Sequence, residues 1–160
     1  MNICSLPPGG RWLPGAVFLL AVVFATLPAR AELGGDYNSI LQDRTAMHAT
    51  LTCQPHAAYN TYILDMPDGT QVREYYSVVG VVFAVDWSGR GHRPDMRQAL
   101  GAYFERFGRP ENLPLKARNS MLRRIEPDIV LESRVVMRRF KGRAYLPQFV
   151  PQEAAIADVR

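Results

Sequence analysis

The chain has 160 residues, with 19 basic and 15 acidic side chains and a formal net charge of +4. That length suits one domain with one core, and so mild a charge argues against a dedicated nucleic-acid binder. Two cysteines, Cys4 and Cys53, exclude a disulfide-dense scaffold.

The first segment reads as an export signal. Arg11 precedes an apolar run over 12–27, broken by Pro14, Gly15 and Thr26, and Ala29-Arg30-Ala31 closes it. A positive start, a short apolar stretch and small residues at the −3 and −1 positions form the pattern of a cleavable secretory signal. The run is too short and too interrupted for a membrane span of about 20 residues. The expected organisation is a signal over 1–31 and a single exported α+β domain over 32–160. That domain would be periplasmic or secreted in a bacterium, with no transmembrane span once the signal is gone. Cleavage removes Cys4, Arg11 and Arg30, so the 19 basic residues become 17 against the same 15 acidic ones. Cys53 is then expected as a lone, buried, structural thiol.

Asp36 is expected to cap a helix over 37–48, with Tyr37, Ile40, Leu41, Met47 and the stem of Arg44 on its apolar stripe. Residues 49–54 fit either a last helical turn or a short strand. Segments 59–66, 71–77 and 81–87 read as a three-stranded antiparallel meander. Pro67-Asp68-Gly69 makes its first turn and Val79-Gly80 its second. On the third strand, simple alternation puts Val81, Phe83, Val85 and Trp87 on one face and Val82, Ala84 and Asp86 on the other. Its near-continuous apolar character marks a central strand covered on both sides.

A main helix is predicted at about 94–107. Pro94 and Asp95 open it, Gly108 ends it, and its stripe is Met96, Leu100, Tyr103, Phe104 and Phe107. That stripe is expected to lie on the sheet face holding Phe83 and Val85. Residues 108–127 contain three prolines and read as a loop, with one short helical turn near 120–124. Segments 128–132 and 135–140 read as strands around a Ser133-Arg134 turn, 144–146 as a short strand or edge segment, and the tail 147–160 as either a short terminal helix or loose. The fold class is α+β: an antiparallel β-meander sheet with one main helix packed on it and a shorter N-terminal helix.

Several of these segments resemble one family. They are Leu33-Gly34-Gly35, Val72-Arg73-Glu74-Tyr75, Gly80, Val82-Phe83-Ala84-Val85, Trp87, Pro94-Asp95, Arg97-Gln98, Leu100-Gly101, Tyr103-Phe104 and Gly142-Arg143-Ala144-Tyr145-Leu146-Pro147. They resemble the small secreted proteobacterial proteins of domain of unknown function 2844. The resemblance implies export and a shared fold, and carries over no catalytic or ligand residue.

Candidate chemistry is sparse. His48, Cys53, His56 and His92 lack the compact paired spacing of a structural zinc site, so no metal is called for. Cys53 and His56 lie three apart and would face opposite sides of one strand, and no serine-nucleophile motif occurs. No cofactor is implied. Asp86 and Glu74 are the candidate catalytic carboxylates, since a buried Asp86 would hold a raised pKa suited to acid–base work. The competing reading pairs Asp86 with Arg73 or Arg97, and Arg73 with Glu74 as a cross-strand charge pair. Tyr59, Tyr62, Tyr75 and Tyr76 read as core and rim packing rather than a ligand groove.

Charge is uneven along the chain. Over 106–143 there are eleven basic residues against four acidic ones, and over 32–105 nine acidic against five basic. Arg123, Arg124, Arg138 and Arg139 are therefore the candidates for binding an anionic surface. The few aromatics interleaved there give bases little to stack on, so nucleic acid is not an expected partner. Three functions stay open: a non-catalytic binding module meeting an envelope protein or an anionic envelope polymer, a small carboxylate-dependent hydrolase, and, third, a structural protein tethered through Cys53.

Overall fold

The computed structural model describes residues 33–91, 96–106 and 119–154. Helix α1 (Tyr37–Ala46) leads into β1 (Thr50–Pro55), β2 (Tyr59–Asp65), β3 (Gln71–Ser77) and β4 (Val82–Arg90). Two short helices, α2 (Arg97–Leu100) and α3 (Ala102–Arg106), precede β5 (Asn119–Ile125), β6 (Val130–Val136) and β7 (Arg139–Tyr145). A 3-10 turn at Pro147–Phe149 follows. The seven strands form one sheet in the order β1-β2-β3-β4-β7-β6-β5, every neighbouring pair antiparallel. Two meanders, β1 to β4 and β5 to β7, meet along β4 and β7. The expected antiparallel sheet is present but larger than read, and the described residues are mostly β with short helices.

Local chemistry accounts for the elements that match. Asp36 Oδ1 accepts the Ser39 backbone N–H at 3.1 Å and caps α1. In the β2–β3 turn the Asp68 carboxylate accepts the Thr70 N–H at 2.8 Å, and Gly69 takes the positive φ (+81°) that the turn requires. Six consecutive residues of β4, Val82 to Trp87, are buried, as a central strand covered on both faces requires.

Four expectations are corrected. Phe83 and Val85 do not share a face. The β3–β4 register shifts between Tyr75 and Tyr76, which pair with Ala84 and Val82 and leave Phe83 without a direct partner. Val82, Val85 and Trp87 join the main core with Ile40, Leu64 and Leu100, while Phe83 packs with Tyr59, Tyr75 and Ala84 in a second cluster. Val150 and Ala154 close over that second cluster.

The single main helix is the second correction. It breaks at Gly101 (φ 51°, ψ −129°), a backbone region natural to glycine. Met96 and Leu100 enter the core as expected, but Phe104 is only half-buried, with the Arg97 guanidinium 5.4 Å from its ring centre. Pro94, Asp95, Phe107 and Gly108 lie outside the described residues, as do His92 and the signal segment 1–31.

The third correction concerns the C-terminal half. Residues Asn119–Ile125 are a strand rather than a loop with a helical turn. β6 runs unbroken through Ser133 and Arg134, and the turn falls instead at Met137-Arg138. Gly142 lies inside β7 because a Cβ there would sit 2.6 Å from Trp87 Cε2 and 2.8 Å from the Glu132 carbonyl oxygen. Fourth, Cys53 on β1 is half-buried rather than buried.

Candidate functional site

Strand register sorts the side chains into two faces, because direct cross-strand neighbours point the same way. One face carries the main core under α1 and α2. On the other, register brings together Arg73, Asp86, Arg143, Glu132 and Arg123, one from each of β3, β4, β7, β6 and β5. This is a ladder of alternating charge. Arg73 Nε donates to Asp86 Oδ1 at 2.9 Å, Arg143 Nη2 to Glu132 Oε2 at 2.8 Å, and Arg123 Nε to Glu132 Oε1 at 2.9 Å. The Tyr75 hydroxyl donates to Asp86 Oδ2 at 2.6 Å. Burial pushes the Asp86 carboxyl above its ordinary range, opposed by Tyr75, Arg73 and Arg143, which favour the anion.

Toward the β6–β7 turn the acids stop. In the next rows Lys141 lies directly opposite Arg134, and Arg139 opposite Arg90. These are like charges at cross-strand spacing, an arrangement that weakens a sheet. None of the four is in an ion pair among the described residues. Together with Ser88 they line a concavity of about 540 Å³. The carboxylate at its rim, Asp68, is engaged with the backbone of its own turn. A second hollow of about 630 Å³ adjoins it, lined by Arg90, Val136, Met137, Arg138 and Arg139. The arrangement can hold anionic groups: three guanidinium forks and an ammonium converge on one open face against a single carboxylate, Asp68, at its rim.

The sheet's other side holds a second group of ionisable residues. Glu74, between Tyr62 and Val85 in register, lies beneath α1 and is hydrogen-bonded to Asp43. Gln98 of α2 also bonds Asp43. Asp43 and Glu74 are 1% and 2% exposed. Burial lifts the Asp43 carboxyl from 3.8 to about 6, against the hydrogen bonds from Glu74 and Gln98. Burial, reinforced by Asp43, pushes Glu74 well above its ordinary range. The pair, with Gln98, ties α1 and α2 to the sheet.

A model of one protein family matches residues 29–159. The chain belongs to the DUF2844 family. Its members are described as proteins of unknown function, so membership assigns no residue a role. No curated protein and no solved structure matches the chain.

In this DUF2844 chain the sequence candidates do not converge on one place. Asp86 and Glu74 occupy opposite faces of the sheet, and Arg73 pairs with Asp86 rather than with Glu74. Arg139 lines the first concavity, and both Arg138 and Arg139 line the second. Arg123 is taken up by Glu132, and Arg124 stands opposite buried Leu131 on the helix-bearing face. His56 stacks on Tyr59 with ring centres 4.4 Å apart. Among the described residues no three of His, Cys, Asp or Glu are grouped to hold a metal ion.

Sequence reasoning missed Arg90, Arg134 and Lys141 as one cluster with Arg139, and it missed Asp43. The i, i+2 spacing of Arg134 to Val136 and Arg139 to Lys141 carries the first signal, once the turn is put at 137–138. For Asp43 the signal is an acid three residues after Ile40 and four before Met47, on the stripe that faces the core.

Proposed function

We propose that this chain is exported to the bacterial cell envelope and acts there as a non-catalytic binding module. Its site is the basic concavity on β4, β7 and β6, and its partner there is anionic. The observation that carries this reading is the pair of like-charged cross-strand contacts, Arg90 with Arg139 and Arg134 with Lys141. Folding alone disfavours both pairs, whereas one bound anion would turn both into favourable contacts. The neighbouring ladder supports the same reading, because there two carboxylates engage three arginines and leave a single net positive charge, whereas the concavity gathers four cations.

Dextran sulfate is a suitable soluble probe. Its binding should weaken as salt rises, since attraction between exposed charges is screened over about 8 Å at physiological ionic strength. The double change Arg90→Gln with Arg139→Gln should weaken it further, whereas Arg123→Gln with Arg124→Gln should change it little. Binding that ignores both salt and the Arg90/Arg139 change would overturn the proposal. Export is tested separately: N-terminal sequencing of the exported protein should begin at Glu32, and a species retaining Met1 would contradict it. A hydrolase would need substrate to reach Asp86 or Glu74, both buried and both engaged. Turnover of a defined substrate that is lost with Asp86→Asn would revive that alternative.

A further inference from the structure

The β6–β7 hairpin ends in two residues, Met137 and Arg138, between paired Val136 and Arg139. Met137 is 79% exposed, and Val136 is also exposed. Met121 on edge strand β5 is exposed as well and lies directly opposite Arg134. The apolar side chains of this corner thus alternate with the cations of the basic concavity.

The turn itself is unusual. Met137 has φ 56°, in the left-handed region where glycine or asparagine folds with least strain. The tip is held in place, since the Gly91 N–H donates to the Arg138 carbonyl at 2.8 Å. A bulky apolar residue is therefore held in an unfavourable backbone conformation at the most exposed point of a braced hairpin. Strain of this kind persists where the side chain itself has a use.

We infer that this corner docks on the surface of an anionic phospholipid bilayer. This inference rests on the anion-binding reading of the concavity and names its partner. Guanidinium groups of Arg134, Arg138 and Arg139 meet headgroup phosphates, while Met137 and Val136 enter the boundary between headgroups and acyl chains. A sugar polymer or a soluble anion would satisfy the arginines but give the apolar tip nothing to enter. A bilayer satisfies both, with basic residues near the surface each strengthening attachment about fivefold.

Vesicles of phosphatidylcholine with and without phosphatidylglycerol, assayed by co-sedimentation, test this directly, with dextran sulfate as the soluble control. Wild type and variants are compared as the same processed species, so any contribution from residues 1–32 cancels. Wild type should bind the phosphatidylglycerol vesicles and leave pure phosphatidylcholine unbound. Met137→Gly, which suits the turn and is not expected to harm folding, should lose about tenfold in vesicle affinity yet keep its dextran sulfate binding. Arg134→Gln with Arg139→Gln should lose about 25-fold on vesicles and lose the polyanion too. Unchanged vesicle binding by Met137→Gly, or wild type that holds dextran sulfate but ignores the vesicles, would overturn bilayer docking and leave the concavity reading intact. Full dextran sulfate binding by the arginine double variant would overturn both.

Discussion

Glu74→Gln offers a quantitative test of the buried carboxyl pair. Glu74 and Asp43 are almost fully enclosed, and one oxygen of each, Glu74 Oε1 and Asp43 Oδ1, has no hydrogen-bond partner among the described residues. Burial raises the Glu74 carboxyl well above its ordinary range in the folded chain, whereas unfolding returns it to that range. A proton bound only in the folded state makes stability fall as pH rises, by about 1.4 kcal/mol per pH unit. The acid with a raised folded pKa thus contributes most at low pH, and its contribution is lost as pH rises toward that pKa. Glutamine keeps a neutral donor toward Asp43 and removes the titration. Above the Asp43 transition at about 6, the variant should therefore show almost none of this slope. Urea unfolding at pH 7 and pH 8 reads the difference directly. Wild type should lose more stability than the variant across that interval, with about 1.4 kcal/mol the ceiling for one proton. Histidines and the remaining carboxylates, Asp86 included, are common to both proteins and drop out of the comparison. Parallel stability profiles from pH 7 to pH 8 would refute this reading of Glu74.

Three further substitutions probe other parts of the fold. Gly142→Ala drives a methyl group against the Trp87 ring and the Glu132 carbonyl, and should destabilise by about 1–3 kcal/mol in urea unfolding. Met137→Gly relieves a left-handed methionine and should raise stability by about 1 kcal/mol, visible as a higher thermal midpoint. Asp86→Asn removes the charge that accepts from both Arg73 and Tyr75, and should lower stability by about 2 kcal/mol. An unchanged midpoint for Asp86→Asn would mean that the contacts of Asp86 with Arg73 and Tyr75 contribute nothing net.

The legible parts of the sequence were those whose signals are local. Asp36 as a cap, the Pro67-Asp68-Gly69 turn and the apolar run of β4 each state their role within a few residues. What escaped depends on partners distant in sequence. Gly142 looks like a strand breaker until Trp87 is seen filling the space that its missing side chain leaves. The Phe83 bulge exists only in the pairing of β3 with β4, so alternation within β4 alone assigns the wrong face. Gly101 is ambiguous, because an apolar stripe continues through it while its backbone does not. At the candidate site, composition located the basic half of the chain but not the rows. Which arginines are neutralised and which are left exposed is decided by register, since Glu132 and Asp86 hold only the cations directly across from them.

The sheet order also has a bearing on how the chain reaches this structure. Within each meander every strand pairs with its neighbour in sequence, so hairpins there close short loops. Only β4 with β7 joins segments far apart in the chain, with Trp87 opposite Gly142 in the middle of that seam. Closing so long a loop carries the largest chain-entropy penalty of any pairing in the sheet. It also completes the basic face, since Arg90 arrives on one side of the seam and Arg139 and Lys141 on the other. Without that closure Arg134, Arg139 and Lys141 stand together on β6 and β7 while Arg90 lies apart on β4. The pairing with the costliest loop closure is therefore also the one that completes the basic concavity.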